Sequence, residues 1–555
     1  MTKREEFDVC VIGTGAGGGV MIHELTAAGF KVVALERGKH YTTANFTDDE
    51  LGNLIRRSSL APHQLESYRP VPETPGRAGR FNNLAHCVGG SSVHWSAASW
   101  RYRPDEFKVL SSEGPVAGAN LADWPIDYEE LEPYYGRAER AYGVAGQGGS
   151  NPFEPARSSN YPNPPHPFRS ASYVIERGAK KMGYHPFPLP LAINSKPYGN
   201  RAPCLNSGQC ANYGCVVNAK ASSLSVHIPP ALATGRLDLR PESFVNEIRV
   251  DETGRVRSVS YLTATGEQRE VFAKRFVLSA GAVGSAHLLK LSTSGAFPQG
   301  LANGSGQLGR NLTYHITAIV GFWTDELSHG ILGQTGQVAI DDLHASDSKR
   351  GFIRGGMIME NGEANPIYYA MNGVSQGISA GTRTWGKPLK DYLRKFRHAA
   401  SLLAIGEDLP REENGIDVDP HIKDHLGIPV PRITHSNHPN DIALHHYYED
   451  KMIEIAQAAG AKDTWKIRLP GFSDLEKGRS QEGSYHLHGT CRMGEDPSKS
   501  VLDRWCRAHD VPNLWVVDGS CFPTAGGYNP TMTLVANAYR VAEKMIEDAK
   551  RLEPV

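Results

Sequence analysis

The chain has 555 residues, 40% hydrophobic and 21% charged, an ordinary globular composition. At about 100–200 residues per unit this length predicts about three to four structural units, or two large domains. Lys and Arg total 59 against 60 Asp and Glu, a formal net charge of −1. That balance excludes the basic excess on which nonspecific binding to nucleic acid or to an anionic membrane depends. Eight cysteines over this length exclude a secreted disulfide framework.

No apolar run approaches the roughly 18 residues of a membrane span. The first residues are polar and run straight into a strand without an apolar signal segment, which predicts a cytoplasmic protein. Export together with a partner subunit that carries its own signal stays open.

In chain order, Phe7–Ile12 reads as a short buried strand. Gly13-Thr14-Gly15-Ala16-Gly17-Gly18 follows and fits G-x-G-x-x-G. Val20 to Ala28 reads as a helix stopped by Gly29, and the apolar strand Lys31–Leu35 delivers Glu36. This is the whole βαβ setting of a dinucleotide site. Gly13 permits the tight turn, Gly15 lets backbone approach a pyrophosphate, and Gly18 lets helix and strand pack. The helix N-terminus supplies N–H donors. Glu36 can accept from ribose hydroxyls and would repel a 2′-phosphate, which leaves NAD and FAD open. No second G-x-G-x-x-G occurs with the complete strand–helix–strand setting and a following acidic strand end. The remaining glycine clusters, Gly89-Gly90, Gly281 to Gly284 and Gly526-Gly527, are scattered, as expected for a flavin enclosed by discontinuous pieces of chain.

Phe244–Val250, Arg255–Thr263 and Gln268–Ala273 read as three short strands joined by glycine-containing turns, and Arg275–Leu278 as an apolar strand returning to a parallel sheet. The Pro-rich stretch Tyr161–Phe168 reads as a loop. Residues 311–480 lose the strand–glycine–helix rhythm and are read as most of a substrate domain. The C-terminal segment closes with an amphipathic helix over about Thr533 to Ala549.

The chain resembles the glucose–methanol–choline (GMC) oxidoreductases over essentially its whole length. Carrying this are the Gly13–Glu36 unit, Val88-Gly89-Gly90-Ser91-Ser92-Val93-His94-Trp95, Gly281–Ser292, His486-Leu487-His488-Gly489-Thr490-Cys491-Arg492-Met493-Gly494, Asn513–Ser520 and Asn529-Pro530-Thr531. Its look is that of bacterial gluconate, sorbitol, fructose and glucose dehydrogenase flavoprotein subunits and of pyranose oxidases. Ala286 and Thr293 depart from the family's usual residues. The resemblance implies an α/β FAD-binding domain, Rossmann-like and of glutathione-reductase type, discontinuous in sequence. An α+β substrate domain with an antiparallel sheet completes it. The implied division is 1–310 (FAD-binding, with inserted substrate-domain and loop segments at about 110–200), 311–480 (substrate-binding) and 481–555 (FAD-binding, carrying the catalytic pair).

The resemblance also assigns residues. His486 matches the catalytic histidine. A neutral imidazole with an ordinary pKa near 6.5 accepts a hydroxyl proton at neutral pH. Asn529 matches its partner and can hold the substrate oxygen. On a strand His486 and His488 would face the same way, which keeps His488 open as a rival base. FAD contacts are implied for Gly13, Gly15, Gly18, Glu36, Gly90, Ser91, His94, Val245, Asp518, Gly519, Asn529 and Thr531. Asp518 and Gly519 fall at the pyrophosphate and ribityl end, with a plain cap or turn as the alternative for Asp518. In pyranose and choline oxidases the histidine matching His94 is bonded to the flavin, but related dehydrogenases carry a similar sequence, so both covalent and noncovalent FAD stay open.

Cys204, Cys210 and Cys215 resemble a loop that ligates an iron–sulfur cluster in some relatives. The spacing is only similar, and buried free thiols or one disulfide are favoured over the cluster. No other metal ligands are expected. The implied activity is FAD-dependent oxidation of a hydroxyl of a sugar, sugar acid, glycoside or polyol. The electron acceptor would be oxygen, a quinone or a redox partner subunit. A smaller or apolar alcohol, a flavin-containing lyase on the same fold, and a NAD-dependent dehydrogenase are the alternatives.

Overall fold

A computed structural model gives the fold and describes residues 6–330, 332–362, 365–371, 385–468, 475 and 480–552. The polar N-terminal residues 1–5, on which the cytoplasmic reading rests, lie outside the described residues, as do parts of the 311–480 segment. In chain order the strands are β1 (Glu6–Ile12), β2 (Val32–Leu35), β3 (Glu66–Arg69), β4 (Arg77–Gly79), β5 (Phe187–Pro188) and β6 (Leu237–Arg240). Then come β7 (Ser243–Val250), β8 (Val256–Thr263), β9 (Gln268–Leu278), β10 (His315–Trp323), β11 (Val338–Ile340) and β12 (Gly356–Glu360). The last are β13 (Ala399–Glu407), β14 (Gly415–Lys423), β15 (Pro429–Thr434), β16 (Asp463–Lys466) and β17 (Leu514–Val516). The helices that matter here are α1 (Ala16–Ala27), α2 (Tyr128–Tyr142), α3 (Ser170–Lys181), α4 (Gly281–Leu291), α5 (Pro439–Ala458) and α6 (Thr531–Leu552).

The first sheet runs β6-β2-β1-β9-β8-β7, with β17 also paired to β9. Its centre is parallel and apolar: β1 lies between β2 and β9, and every residue of β2 is buried. The returning strand expected at Arg275–Leu278 is not separate; Gln268 to Leu278 is one strand. Its first half pairs with β8 and its last residues with β17. One long strand thus serves both the meander and the C-terminal segment. Helix α1 begins earlier than expected, at Ala16, so Gly17, Gly18 and Gly19 are its buried first turn. A Cβ on Gly17 would lie 2.0 Å from the Val517 carbonyl oxygen, so only glycine lets the helix close on the end of β17. Helix α6 also begins early, at Thr531, and packs on α1 and α2.

The second sheet runs β16-β10-β13-β12-β11-β5 and is antiparallel at every pair. Its alternation is two-sided. Ile316, Ala318, Val320 and Phe322 join a core with Leu444, Tyr448 and Met452 of α5. His315, Thr317 and Ile319 point the other way. A third sheet, β14-β15-β3-β4, joins the 311–480 segment to Glu66–Gly79 near the N-terminus. The 161–168 stretch contains no regular helix or strand, as expected.

Candidate active site

One cavity of about 500 Å³ extends from the glycine loop to the second sheet. At the first end it is walled by backbone. Gly13 has φ +92°, and a Cβ there would sit 2.4 Å from the Ser279 carbonyl oxygen. Gly90 has φ +55°, and a Cβ there would sit 2.8 Å from Gly15 Cα. Neither Gly13 nor Gly90 therefore has room for a side chain, and the backbone closes in there as a pyrophosphate cradle requires. Thr14, which the motif leaves unspecified, ties three pieces together. Its hydroxyl donates to Glu36 Oε2 (2.8 Å), its N–H donates to the same oxygen (3.1 Å), and its Oγ1 accepts from the Gly89 N–H (3.1 Å). Glu36 also accepts from the Gly38 N–H at 3.0 Å, and burial raises its pKa.

Asp518 does two things at once. Oδ1 caps the following turn by accepting from the Ser520 N–H (2.9 Å). Oδ2 accepts from the Gly281 N–H (3.0 Å) and the Ser285 hydroxyl (2.5 Å), binding β17 to the start of α4. Gly13, Gly15, Glu36, Gly90, Ser91, His94, Val245, Asp518, Gly519, Asn529 and Thr531 all line the cavity. Gly18 does not; it packs on Gly13, whose carbonyl a Cβ would meet at 2.1 Å. These residues fit FAD: a glycine cradle, a carboxylate beyond it, and a helix N-terminus at Pro530-Thr531 with its positive potential toward the cavity.

The other end is built by side chains. His486 Nδ1 lies 2.8 Å from Nδ1 of His315, and its Nε2 lies 3.4 Å from Asn529 Nδ2. The Asn529 Oδ1 is buried and without a partner among the described residues, as a group awaiting a ligand would be. The segment holding His486 is not a regular strand, so the condition under which His486 and His488 would face the same way is not met; an isolated antiparallel bridge joins Thr313 and His488. His486 is instead set by its Ser484 neighbour: the His486 N–H donates to Ser484 Oγ (3.0 Å), and the Ser484 N–H donates to Asn82 Oδ1 (3.0 Å). His488 stacks flat on Phe522, with ring centroids 5.5 Å apart, and its Nδ1 has no hydrogen-bond partner among the described residues. Burial, then His315, holds the His486 pKa well below 6.5, so the imidazole is neutral over a wider range than its ordinary value gives.

The loop before Asn529 is braced from several sides. Tyr102 donates its hydroxyl to the Ala525 carbonyl, and Trp124 Nε1 donates to Thr524 Oγ1 at 2.8 Å. The Tyr528 hydroxyl donates to Asp341 at 2.9 Å while its ring stacks on His344, 4.2 Å between centroids. Beyond the pair, Thr317 and Ile319 of β10, Leu403 and Ile405 of β13, Met359 of β12, and Asn361 line the chamber.

His94 is buried in the cavity wall, with its pKa pushed down to about 3 by burial and then by Lys220 and Arg57. All eight cysteines are free, so the expected disulfide alternative does not hold. Cys204, Cys210 and Cys215 are half-buried rather than buried, because their loop lies at the surface and is pinned from beneath by Lys220. The Lys220 Nζ donates to the carbonyls of Trp95 (2.9 Å), Cys210 (2.6 Å) and Tyr213 (2.8 Å). His445, His446 and Glu449 do bring ligand atoms within 4.8 Å of one another, but Glu449 is already ion-paired to Lys466 (2.8 Å) and to Arg468. No helix among the described residues is long and apolar enough to cross a membrane.

Two family models, both described as GMC oxidoreductase, match residues 80–317 and 410–538. The chain belongs to the GMC oxidoreductases. It is therefore an oxidoreductase of CH–OH donors, and the family implies FAD. It is 33% identical over 551 residues to 2-methyl-1,2-propanediol dehydrogenase of Mycolicibacterium austroafricanum, covering 98% of this chain and 95% of that one. It is 30% identical over 595 residues to the gluconate 2-dehydrogenase flavoprotein of Pantoea cypripedii, covering 98% and 94%. Formate oxidase of Aspergillus oryzae shares the fold, with a TM-score of 0.70 at 14% identity and all of both chains covered.

Proposed function

We propose that the enzyme oxidises a hydroxyl-bearing carbon of a sugar, sugar acid, glycoside or polyol, with His486 taking the hydroxyl proton and Asn529 holding the oxygen. The observation that carries this reading is the single cavity joining the glycine loops to the His486–Asn529 pair. FAD, held without a covalent bond by the glycine loops, Glu36 and the Asp518–Thr531 segment, would supply the two-electron acceptor for the carbinol hydrogen. The O–H proton passes to His486, a neutral imidazole at neutral pH. The Asn529 side chain, on its braced loop, orients the oxygen as negative charge grows there. The depressed His486 pKa favours delivery of the proton onward once the carbon is oxidised. The electrons leave to oxygen, a quinone or a partner subunit. The cysteine loop is read as three thiols around Lys220, without iron.

A second reading, a smaller and more apolar alcohol, is favoured by the aliphatic patch of Ile319, Met359, Leu403 and Ile405 beside the pair. The relatives named above span both classes, a branched diol and a sugar acid. The visible spectrum of the purified protein, followed by anaerobic bleaching with a panel of polyols, sugar acids and small branched alcohols, tests the reading. A yellow protein bleached by polyhydroxylated substrates is expected. Bleaching by small branched alcohols alone supports the second reading, and a colourless protein that binds NAD contradicts both.

A further inference from the structure

We infer that His315 is a positioning residue that locks His486 into the tautomer carrying its proton on Nδ1, so that the Nε2 lone pair faces the substrate. The inference rests on the assignment of His486 as base and adds a residue that no sequence motif marks.

Hydrogen-bond directions place each proton in turn. His315 Nε2 lies 2.8 Å from the Gly526 carbonyl oxygen and 3.2 Å from that of Ala525. Carbonyl oxygens only accept, so His315 Nε2 carries a hydrogen. His315 is fully buried, and burial pushes its pKa down to about 4, so the ring is neutral and has only that one N–H. His315 Nδ1 is then a lone pair. It faces His486 Nδ1 at 2.8 Å, and two lone pairs do not approach to that distance, so His486 Nδ1 carries the hydrogen. His486 is neutral as well, which leaves its Nε2 bare. That nitrogen faces the Nδ2 of Asn529, a donor, at 3.4 Å. Each link fixes the next, and the chain is anchored at backbone carbonyls of the loop that also carries Asn529.

The rings themselves are held apart from alternatives. His315 and His486 cross nearly edge-on, with centroids 4.9 Å apart and planes at 79°. His488, the other ring beside His315, lies 5.3 Å away and makes no nitrogen contact with it. Asp408 and Glu106 are the acids whose charges reach His315, and neither bonds its ring. When Nε2 of His486 takes the substrate proton, the resulting cation is stabilised by the bond from its Nδ1–H to His315. The proton goes no further along this line, because the carbonyls at its end cannot take one up. His315 therefore holds the base and does not relay from it. Sequence position explains the choice of residue: His315 opens β10, and Thr317 and Ile319 on the same face line the substrate chamber.

The test compares His315→Leu, which removes the acceptor, with His315→Asn, whose Oδ1 can stand where Nδ1 stood, in the flavin-loaded enzyme. The expected results for His315→Leu are full flavin content, a substrate dissociation constant within about 3-fold of wild type, and anaerobic flavin reduction slowed about 10- to 100-fold. That loss is the penalty an unmet buried N–H places on the productive tautomer. His315→Asn should recover most of it. A second readout does not involve turnover: in protein labelled with 15N-histidine, and with His486 assigned by its loss in His486→Gln, Nδ1 of His486 should be protonated and Nε2 bare. In His315→Leu the proton should move to Nε2. Wild-type reduction by His315→Leu, equal defects in the Leu and Asn variants, or an Nε2-protonated His486 in the wild type would each overturn the inference. The parent reading fails separately: if His486→Ala reduces at the wild-type rate, His486 is not the base and the role of His315 falls with it.

Discussion

At the glycine-loop end the cavity wall is backbone, and at the His486 end it is side chain. Gly13 and Gly90 are there because nothing larger fits. His315, His486 and Asn529 meet from three segments separated by 171 and 43 residues. A cradle for a fixed cofactor needs close approach and N–H donors, which local turns supply and a short motif encodes. A chamber for a reacting group needs nitrogens and oxygens aimed at one point, which only the assembled fold supplies. The first end should therefore fail all at once when altered, and the second should fail by degrees.

The largest effect expected is at the backbone end. Gly17→Val places a side chain against the Val517 carbonyl, a backbone atom that cannot swing aside, and should abolish FAD retention. Flavin content after purification measures it. A fully yellow variant would show that α1 can back away and would weaken the contrast between the two ends.

At the side-chain end, Asn529→Ala should keep FAD and slow anaerobic reduction about 10- to 10³-fold, since in the proposed role it orients and donates without accepting the proton. Loss of FAD together with activity would mean that Asn529 belongs to the cradle instead.

The smallest effect is on stability. His94 and His227 have pKa values lowered to about 3, and His287 and His315 to about 4, all by burial first. The unfolded chain binds protons at these positions near 6.5, so their contribution is fully present above that pH. It is lost as pH falls toward the folded values. The melting temperature should drop as pH is lowered from about 6.5 toward 4. A melting temperature that rises over this window would contradict the assigned neutral state of these rings.

The sequence made the backbone end legible because glycine spacing, Glu36 and the flanking strands are consecutive. It also marked His486, Asn529 and Asp518 as candidates through their resemblance to family segments, and the structure has all three lining one cavity. It missed Thr14 as a three-way tie, since a motif that specifies only glycines leaves its x positions blank. It missed His315 entirely: a histidine opening an apolar strand looks like any core histidine until the Gly526 carbonyl and His486 are brought to its two nitrogens. The division of Gln268–Leu278 into two strands failed for a similar reason, because the neighbour that pairs its second half, β17, lies more than 230 residues later. The same applies to the third sheet, whose strands come from Glu66–Gly79 and Gly415–Thr434.

The central claim is that His486, and not His488, takes the substrate proton. Anaerobic stopped-flow reduction of His486→Ala and His488→Ala, read against wild type across pH, tests it most directly. His486→Ala should stay yellow and reduce about 10²- to 10⁴-fold more slowly. Because burial depresses the His486 pKa, the wild-type rate should hold level down through about 6.5 and fall only in more acidic solution, and that fall should vanish with His486. His488→Ala should keep the wild-type profile. If His488→Ala abolishes reduction while His486→Ala reduces normally, the base is two residues away and this account of the site is wrong.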